Sequence, residues 1–187
     1  MKQKDHLALA YYLIDCAGEG LPWRRTWHRR FFLLGCVCPD YVPFTYLRGF
    51  RQSHAARGHD ARYLEGYIQK KLGRIAARGV KRWRDALALG LLMHYLADSF
   101  TFVHTGGFCG SMREHRRYEW GLHACFSKCL SHTTQREPTR PADFAQLSER
   151  LRQRRRAYEC KGGEYERDCE QILGACTEVF LALCGSN

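Results

Sequence analysis

Residues 88–104 read ALGLLMHYLADSFTFVH, and this stretch contains the strongest structural signal in the sequence. Apolar residues occupy nearly every side of the helix that it would form, which predicts a buried helix and not a surface one. His94 and Asp98 stand four residues apart, so their side chains project from one face of that helix. A buried Asp98 carboxylate needs strong compensation, and coordination to a cation supplies it. The stretch therefore predicts a buried helix that carries metal ligands.

A second pair of the same kind follows in the next predicted helix. His115 and Glu119 are also four apart, and His104 lies between the two pairs, beyond the expected end of the first helix. Mixed imidazole and carboxylate ligands favour zinc, because all-oxygen sites favour magnesium or calcium and thiolate-rich sites favour structural zinc or iron–sulfur. Either pair alone could instead be an ordinary helix-surface pair. The five residues together indicate a multinuclear metal site.

The length and the hydrophobic pattern predict an all-α protein. A chain of 187 residues is long enough for one domain whose core does not depend on disulfide bonds or structural metal ions. We expect this single domain over residues 1–187. No segment alternates cleanly enough to predict a strand. Glycine and proline positions divide the chain into predicted helices over residues 5–17, 28–36, 61–78, 81–100, 115–130, 141–157 and 164–184.

The ligand spacing resembles that of a known family. The pattern His94-x3-Asp98-x5-His104, with His115-x3-Glu119 on the following helix, resembles the core motif of the bacterial zinc-dependent phospholipases C. The resemblance implies a compact helical domain of the type that these enzymes share with fungal zinc-dependent single-strand nucleases. The accessory C-terminal β-sandwich of the family is not expected, since nothing after Glu119 has a β pattern.

Two upstream segments extend the resemblance. The segment from Gly35 to Asp40 is similar to the Gly/Ala-x4-Asp segment of the family. His54 follows Asp40 by fourteen residues, which is the spacing that the family uses. His6, ahead of an apolar run, resembles the histidine that opens the family's first helix. Seven ligand-type positions thus occur in the family's order between residues 6 and 119.

Carried over residue by residue, the resemblance implies two complete zinc sites. One zinc would be held by His54, His94 and Asp98, and the second by His104, His115 and Glu119. A third zinc would be bound by His6 and by Asp98 acting as a bridge, and larger relatives complete that site with a processed N-terminal Trp. No Trp stands among the five residues before His6, so the sequence leaves this third site incomplete.

The resemblance also implies two roles beside the metals. Asp40 would be the base that activates the attacking water, although a residue after Pro39 could simply end a helix. Tyr41 occupies the place of an aromatic residue that helps to hold the choline headgroup in the phospholipases, and an ordinary packing role is the alternative.

The formal net charge of +11 predicts an anionic partner. A phosphate ester, an acidic membrane surface and a nucleic acid all satisfy that expectation. Two groups of arginines carry much of the charge, and either could be a solvated helix face or a binding surface. They are Arg24, Arg25, Arg29 and Arg30, and Arg150, Arg152, Arg154, Arg155 and Arg156.

The N-terminal residues lack the pattern of a signal peptide, and no apolar run reaches the ~20 residues of a membrane span. We therefore expect a cytoplasmic protein without a transmembrane segment, with peripheral contact to a membrane as an option. In that compartment the ten cysteines are expected to stay reduced as small core residues. Cys36 with Cys38, or Cys125 with Cys129, could bind metal instead, but neither pair has the C-x2-C spacing of a zinc site.

Three functions remain open. The first is a zinc-dependent phosphodiesterase, in particular a phospholipase C that releases diacylglycerol and a phosphorylated headgroup from a phospholipid. The second is a zinc-dependent single-strand nuclease, for which the basic surface would suit DNA or RNA. The third is a zinc-binding protein of the same fold that catalyses no reaction.

Overall fold

The computed structural model describes residues 1–17, 26–41, 61–132, 143–159 and 163–184. These residues form seven α-helices and a short 3-10 turn and contain no strand, so the all-α prediction is confirmed for them. The helices are α1 (Gln3–Ala17), α2 (Thr26–Tyr41), α3 (Ala61–Arg78), α4 (Trp83–Ser99), α5 (Met112–His132), α6 (Phe144–Glu159) and α7 (Tyr165–Cys184), and the turn (Phe102–His104) lies between α4 and α5.

All seven predicted helices are present, and α2 differs most from its prediction. The sequence predicts an end near residue 36, ahead of Pro39, whereas the helix continues to Tyr41. Proline removes one backbone N–H and crowds the carbonyl four residues earlier. Because Pro39 lies only two residues from the end of α2, the helix loses one backbone hydrogen bond there but keeps its last turn. Asp40 is consequently a helical residue in the last turn of α2.

Helix α4 is the central helix of the fold. It packs against α1, α2, α3 and α7, and Leu89, Leu92 and Leu96 are each at most 2 % exposed. His94 and Asp98 are equally buried, at 1 % and 2 % exposure. The prediction that residues 88–99 form a buried helix is confirmed, and two polar side chains of the predicted metal site lie inside the core.

Two glycines let α2 and α4 approach each other at backbone distance. A Cβ atom on Gly35 would collide with the Leu87 carbonyl, and one on Gly90 would collide with the Phe32 carbonyl. No other residue type lacks a Cβ, so the pair of glycines sets this crossing. The crossing lies about one turn before Asp40 on α2 and one turn before His94 on α4, and it brings these two residues together.

A buried carboxylate fixes the turn that follows α4. Asp168 of α7 accepts hydrogen bonds from the Phe102 backbone N–H at 2.9 Å, the Tyr118 hydroxyl at 3.1 Å and the Tyr158 hydroxyl at 2.6 Å. His104 ends this turn, as predicted, beyond the end of α4. Its position therefore depends on α5, α6 and α7 through Asp168.

The predicted arginine groups do not form uniformly solvated faces. Arg155 is 7 % exposed, donates to the Ser99 carbonyl at the end of α4 and pairs with Glu159 at 2.8 Å. A cation at a helix C-terminus interacts favourably with the helix dipole. Arg29 and Arg30 are exposed on α2, whereas Arg24 and Arg25 lie outside the described residues.

None of the described helices combines the length and the hydropathy that would allow it to cross a membrane.

Candidate metal centre

The first group of candidate ligands joins α1 to α4. His6 Nε2 lies 3.2 Å from Asp98 Oδ1, and His94 Nε2 lies 3.3 Å from Asp98 Oδ2. The rings of His6 and His94 are stacked with centroids 3.9 Å apart. One donor atom from each of these three residues lies within 4.8 Å of the others, so the group could hold one metal ion.

A backbone carbonyl orients the His94 ring. Nδ1 of His94 lies 2.8 Å from the carbonyl oxygen of Cys36 on α2. A carbonyl only accepts, so Nδ1 carries the hydrogen and donates it, and in the neutral ring Nε2 carries the lone pair. Histidines that bind metals are commonly held in this way by a hydrogen bond to their other ring nitrogen. The ring is therefore set to present Nε2 toward Asp98.

The second group joins the turn after α4 to α5. Glu119 Oε1 lies 3.3 Å from His115 Nε2 and 3.7 Å from His104 Nε2. The rings of His104 and His115 meet edge to face with centroids 4.9 Å apart. These three residues could also hold one metal ion. Their side chains are more exposed than those of the first group, with His115 at 19 % and Glu119 at 18 %.

The two groups are neighbours. His104 Nε2 of the second group lies 3.8 Å from Asp98 Oδ1 of the first. The α-amino group of Met1 lies between them, 2.8 Å from Asp98 Oδ1 and 3.2 Å from Glu119 Oε1. Burial lowers the pKa of this amino group, but the two carboxylates outweigh burial and raise it to about 10. No motif in the sequence predicted this position of Met1.

The protonation states suit a cation in this centre. Burial lowers the pKa of His6 to about 3, so its ring is neutral. Burial opposes ionisation of Asp98, but the Met1 amino group and the surrounding imidazoles hold its pKa well below the usual range. Burial likewise opposes ionisation of Glu119, and the neighbouring His104 and His115 rings, with the Met1 amino group, hold its pKa low. Neutral imidazoles and ionised carboxylates are the forms that bind metals.

The buried imidazole of His6 is a further test of the fit. His6 is 1 % exposed, its Nδ1 has no hydrogen-bond partner, and its Nε2 lies 3.2 Å from the Asp98 carboxylate without hydrogen-bond geometry. Buried polar groups are almost always satisfied, so such nitrogens require an explanation. A metal ion bound to one of them and to the Asp98 carboxylate would supply it. The residues present therefore fit a zinc centre.

Asp40 lies at the edge of the first group. Its Oδ1 atom is 3.8 Å from His94 Nε2, and its side chain is 24 % exposed. Tyr41 follows at the end of α2 and is 68 % exposed, so it makes little packing contact. His54, predicted to share a zinc with His94 and Asp98, lies outside the described residues.

One polar pair near the centre was missed by the sequence analysis. Asp5, 2 % exposed, accepts a hydrogen bond from His123 Nδ1 at 2.5 Å, which ties α1 to α5 beside His6. His123 stands four residues after Glu119 and therefore on the same face of α5. That spacing was the available signal, but spacing alone does not identify Asp5 as the partner.

Comparison with known proteins identifies one family. A protein-family model described as zinc dependent phospholipase C matches residues 5–167, which is most of the chain. No curated protein and no solved structure matches the chain at a significant level.

Proposed function

Because the chain belongs to the zinc-dependent phospholipase C family, we propose that it is a zinc-dependent phosphodiester hydrolase acting as a phospholipase C. Its products would be diacylglycerol and a phosphorylated headgroup. The proposal is supported chiefly by one observation: two imidazole–carboxylate groups lie side by side, with Asp98 and His104 only 3.8 Å apart across the boundary between them. Adjacent cations suit in-line displacement at phosphorus, because they can contact both the attacking and the departing oxygen.

We assign the ligands as the family pattern implies. His94 and Asp98, together with His54, would hold one zinc, and His104, His115 and Glu119 a second. His6 with Asp98 would hold a third, consistent with the 3.2 Å approach of these two side chains. When bound, zinc supplies Lewis-acid chemistry, making water acidic near neutral pH and offsetting the charge that builds on phosphoryl oxygens.

Asp40 is assigned as the proton acceptor. It lies beside His94 without belonging to either group of candidate ligands, and it is more exposed than Asp98. A carboxylate in that position can take the proton of the attacking water at Oδ1. Asp98, in contrast, is buried among nitrogen ligands, and its role is to bind metal.

A basic groove on the helix that carries the second group suits an anionic lipid. Arg113, Arg116, Arg117 and Trp120 line this groove together with Ser111 and Glu114, and all six are exposed. Arginines attract phosphate and aromatic side chains favour the interface of a bilayer. This groove would allow peripheral contact with an anionic membrane, and Tyr41, which is exposed on α2 beside Asp40, would contact the headgroup.

The substrate assay compares three diesters with the full chain. Short-chain phosphatidylcholine and a chromogenic phosphodiester should be hydrolysed, with activity abolished by chelator and restored by zinc, and single-stranded DNA should be cleaved poorly. Rapid zinc-dependent cleavage of DNA without release of phosphocholine would instead identify a nuclease. Full zinc occupancy without hydrolysis of any diester would identify a binding protein.

A further inference from the structure

Three cysteine thiols converge at a place remote from the predicted zinc ligands. Cys125 and Cys129 stand four apart on α5, and Cys169 lies on α7, which packs against α5. The three sulfur atoms lie within 4.8 Å of one another. Cys169 is fully buried, and the other two are partly buried.

The sulfur spacing fits a shared metal ion. Cys125 Sγ and Cys129 Sγ are 3.9 Å apart. Two thiolates on one tetrahedral zinc, each bound at about 2.3 Å, are about 3.8 Å apart. A disulfide would require about 2.05 Å, and the nine cysteines in the described part of the chain are thiols. The observed spacing therefore fits two ligands around one ion, and it equally fits an S–H···S contact between two thiols.

This cluster is separate from the imidazole–carboxylate centre. Cys125 lies six residues beyond Glu119 on α5, which is about 9 Å along the helix axis. No residue belongs to both groups. The chemistry also differs, since thiolates select soft or borderline ions such as Zn²⁺ and Cu⁺ and bind magnesium or calcium poorly.

Simple packing is the competing explanation. Buried cysteines do serve as small apolar residues, and Cys176, whose sulfur lies 4.0 Å from the Met93 carbonyl, is of that kind here. Packing does not require three thiols at one point. From the sequence, Cys125 and Cys129 were not expected to bind metal, because the pair lacks the C-x2-C spacing of a zinc site. Cys169 supplies the third ligand from a distant part of the sequence.

We propose that Cys125, Cys129 and Cys169 form a second, thiolate metal site that binds one zinc ion and links α5 to α7. Each thiol loses its proton to solvent as its metal–sulfur bond forms, and no oxidant is involved. The fourth position of the ion would be open to solvent, because Cys125 and Cys129 are only partly buried. Because α5 also carries His115 and Glu119, the bound ion would hold the helix that presents part of the proposed catalytic centre.

Cobalt substitution tests the proposal, because only thiolate ligands give Co²⁺ a strong charge-transfer absorption in the near ultraviolet. Full-length protein, reduced and stripped of metal, should develop this band on titration with Co²⁺. Replacing Cys125, Cys129 or Cys169 by Ser should remove most of the band. Cys109→Ser is the matched control, since Cys109 is exposed and outside the cluster, and it should leave the band intact. Absence of the band in folded wild-type protein, or its persistence in Cys125→Ser, would overturn the proposal.

A second measurement needs no substitution and therefore does not depend on the folding of a variant. Alkylation of each thiol is followed by mass spectrometry with and without Zn²⁺, and Cys109 serves as the internal reference. Zinc should slow alkylation of Cys125 and Cys129 at least ~10-fold while leaving Cys109 unchanged, because a metal-bound thiolate is masked. Equal rates with and without zinc would refute the site. Diester hydrolysis is expected to survive in Cys125→Ser, so failure of this proposal is distinguishable from failure of the proposed function.

Discussion

The imidazole rings of His6 and His94 are stacked 3.9 Å apart in the core, although one belongs to α1 and the other to α4. Stacked rings repel each other when both are protonated. The pKa of His6 is lowered from 6.5 to about 3, chiefly by burial and next by the neighbouring His94. The pair is therefore compatible with neutral rings or with rings that each bind a metal ion, and acid is expected to disrupt it.

The first prediction concerns the stability of the metal-free protein. A histidine with a lowered native pKa contributes stability above its unfolded pKa and loses it as the pH falls toward its native pKa. The free energy of unfolding of chelator-treated protein should thus decrease between pH 6.5 and about 3, with a contribution from His6 of up to about 1.4 kcal/mol per pH unit. Urea unfolding at several pH values measures this slope. His6→Asn should flatten it, and His132→Asn, at an exposed position, should not. An unchanged slope in His6→Asn would show that His6 does not titrate as inferred.

The second prediction concerns metal content. His94→Ala and Glu119→Ala should each lose about one zinc per chain relative to wild type, because each removes one of the few protein ligands of its ion. Both variants should remain helical but unfold at lower temperature, since metal bound only to the native state contributes stability. His132→Ala is the control and should keep the wild-type zinc content. Elemental analysis that finds full zinc in either ligand variant would remove that residue from the centre.

The third prediction separates two aspartates. Asp98→Asn should lose zinc, because Asp98 is buried between His6 and His94. Asp40→Asn should retain most zinc while diester hydrolysis falls by roughly 10²–10⁴-fold, the usual contribution of a general base. Zinc content and hydrolysis are measured on the same preparations. Equal zinc loss in both variants would make Asp40 a ligand and exclude it as the base.

The fourth prediction concerns the crossing of α2 and α4. Gly35→Ala places a methyl group against backbone atoms of α4, so it should destabilise the protein by about 1–3 kcal/mol. It should also reduce hydrolysis, because the same crossing sets the distance from Asp40 to His94. Gly66→Ala on α3 is the matched control: its Cβ meets nothing within 4 Å, and a stabilisation of about 0.5–1 kcal/mol is expected. If Gly35→Ala has the same free energy of unfolding as wild type, α2 and α4 do not approach each other this closely in solution.

The sequence predicted most of the helices and the second ligand group, for reasons that are local. His115 and Glu119 are one turn apart on one helix, so helical periodicity alone places them together. The burial of α4 follows from its apolar residues in the same way. What was missed depends on contacts between distant segments. Asp168 holds the turn before His104 from α7, and Asp5 bonds to His123 across two helices. No periodicity in a single segment reveals such partners.

The end of α2 was also predicted incorrectly, for a different reason. Pro39 is a strong signal for a helix end, but its effect depends on how many residues follow. Two more residues, Asp40 and Tyr41, remain helical. This places Asp40 on a rigid element, facing His94, and not on a connecting loop.

The most direct test of the central claim is a stepwise zinc titration of metal-free protein, with bound zinc and the rate of phosphodiester hydrolysis measured on the same samples. The Cys125→Ser variant is titrated in parallel, so that zinc held by thiolates is distinguished from zinc held by the imidazole–carboxylate groups. We expect hydrolysis to appear only as those groups fill and to be absent in His94→Ala and Glu119→Ala at any zinc concentration. Hydrolysis that persists in metal-free protein, or that is unaffected when His94 and Glu119 are removed, would contradict the claim that this centre catalyses the reaction.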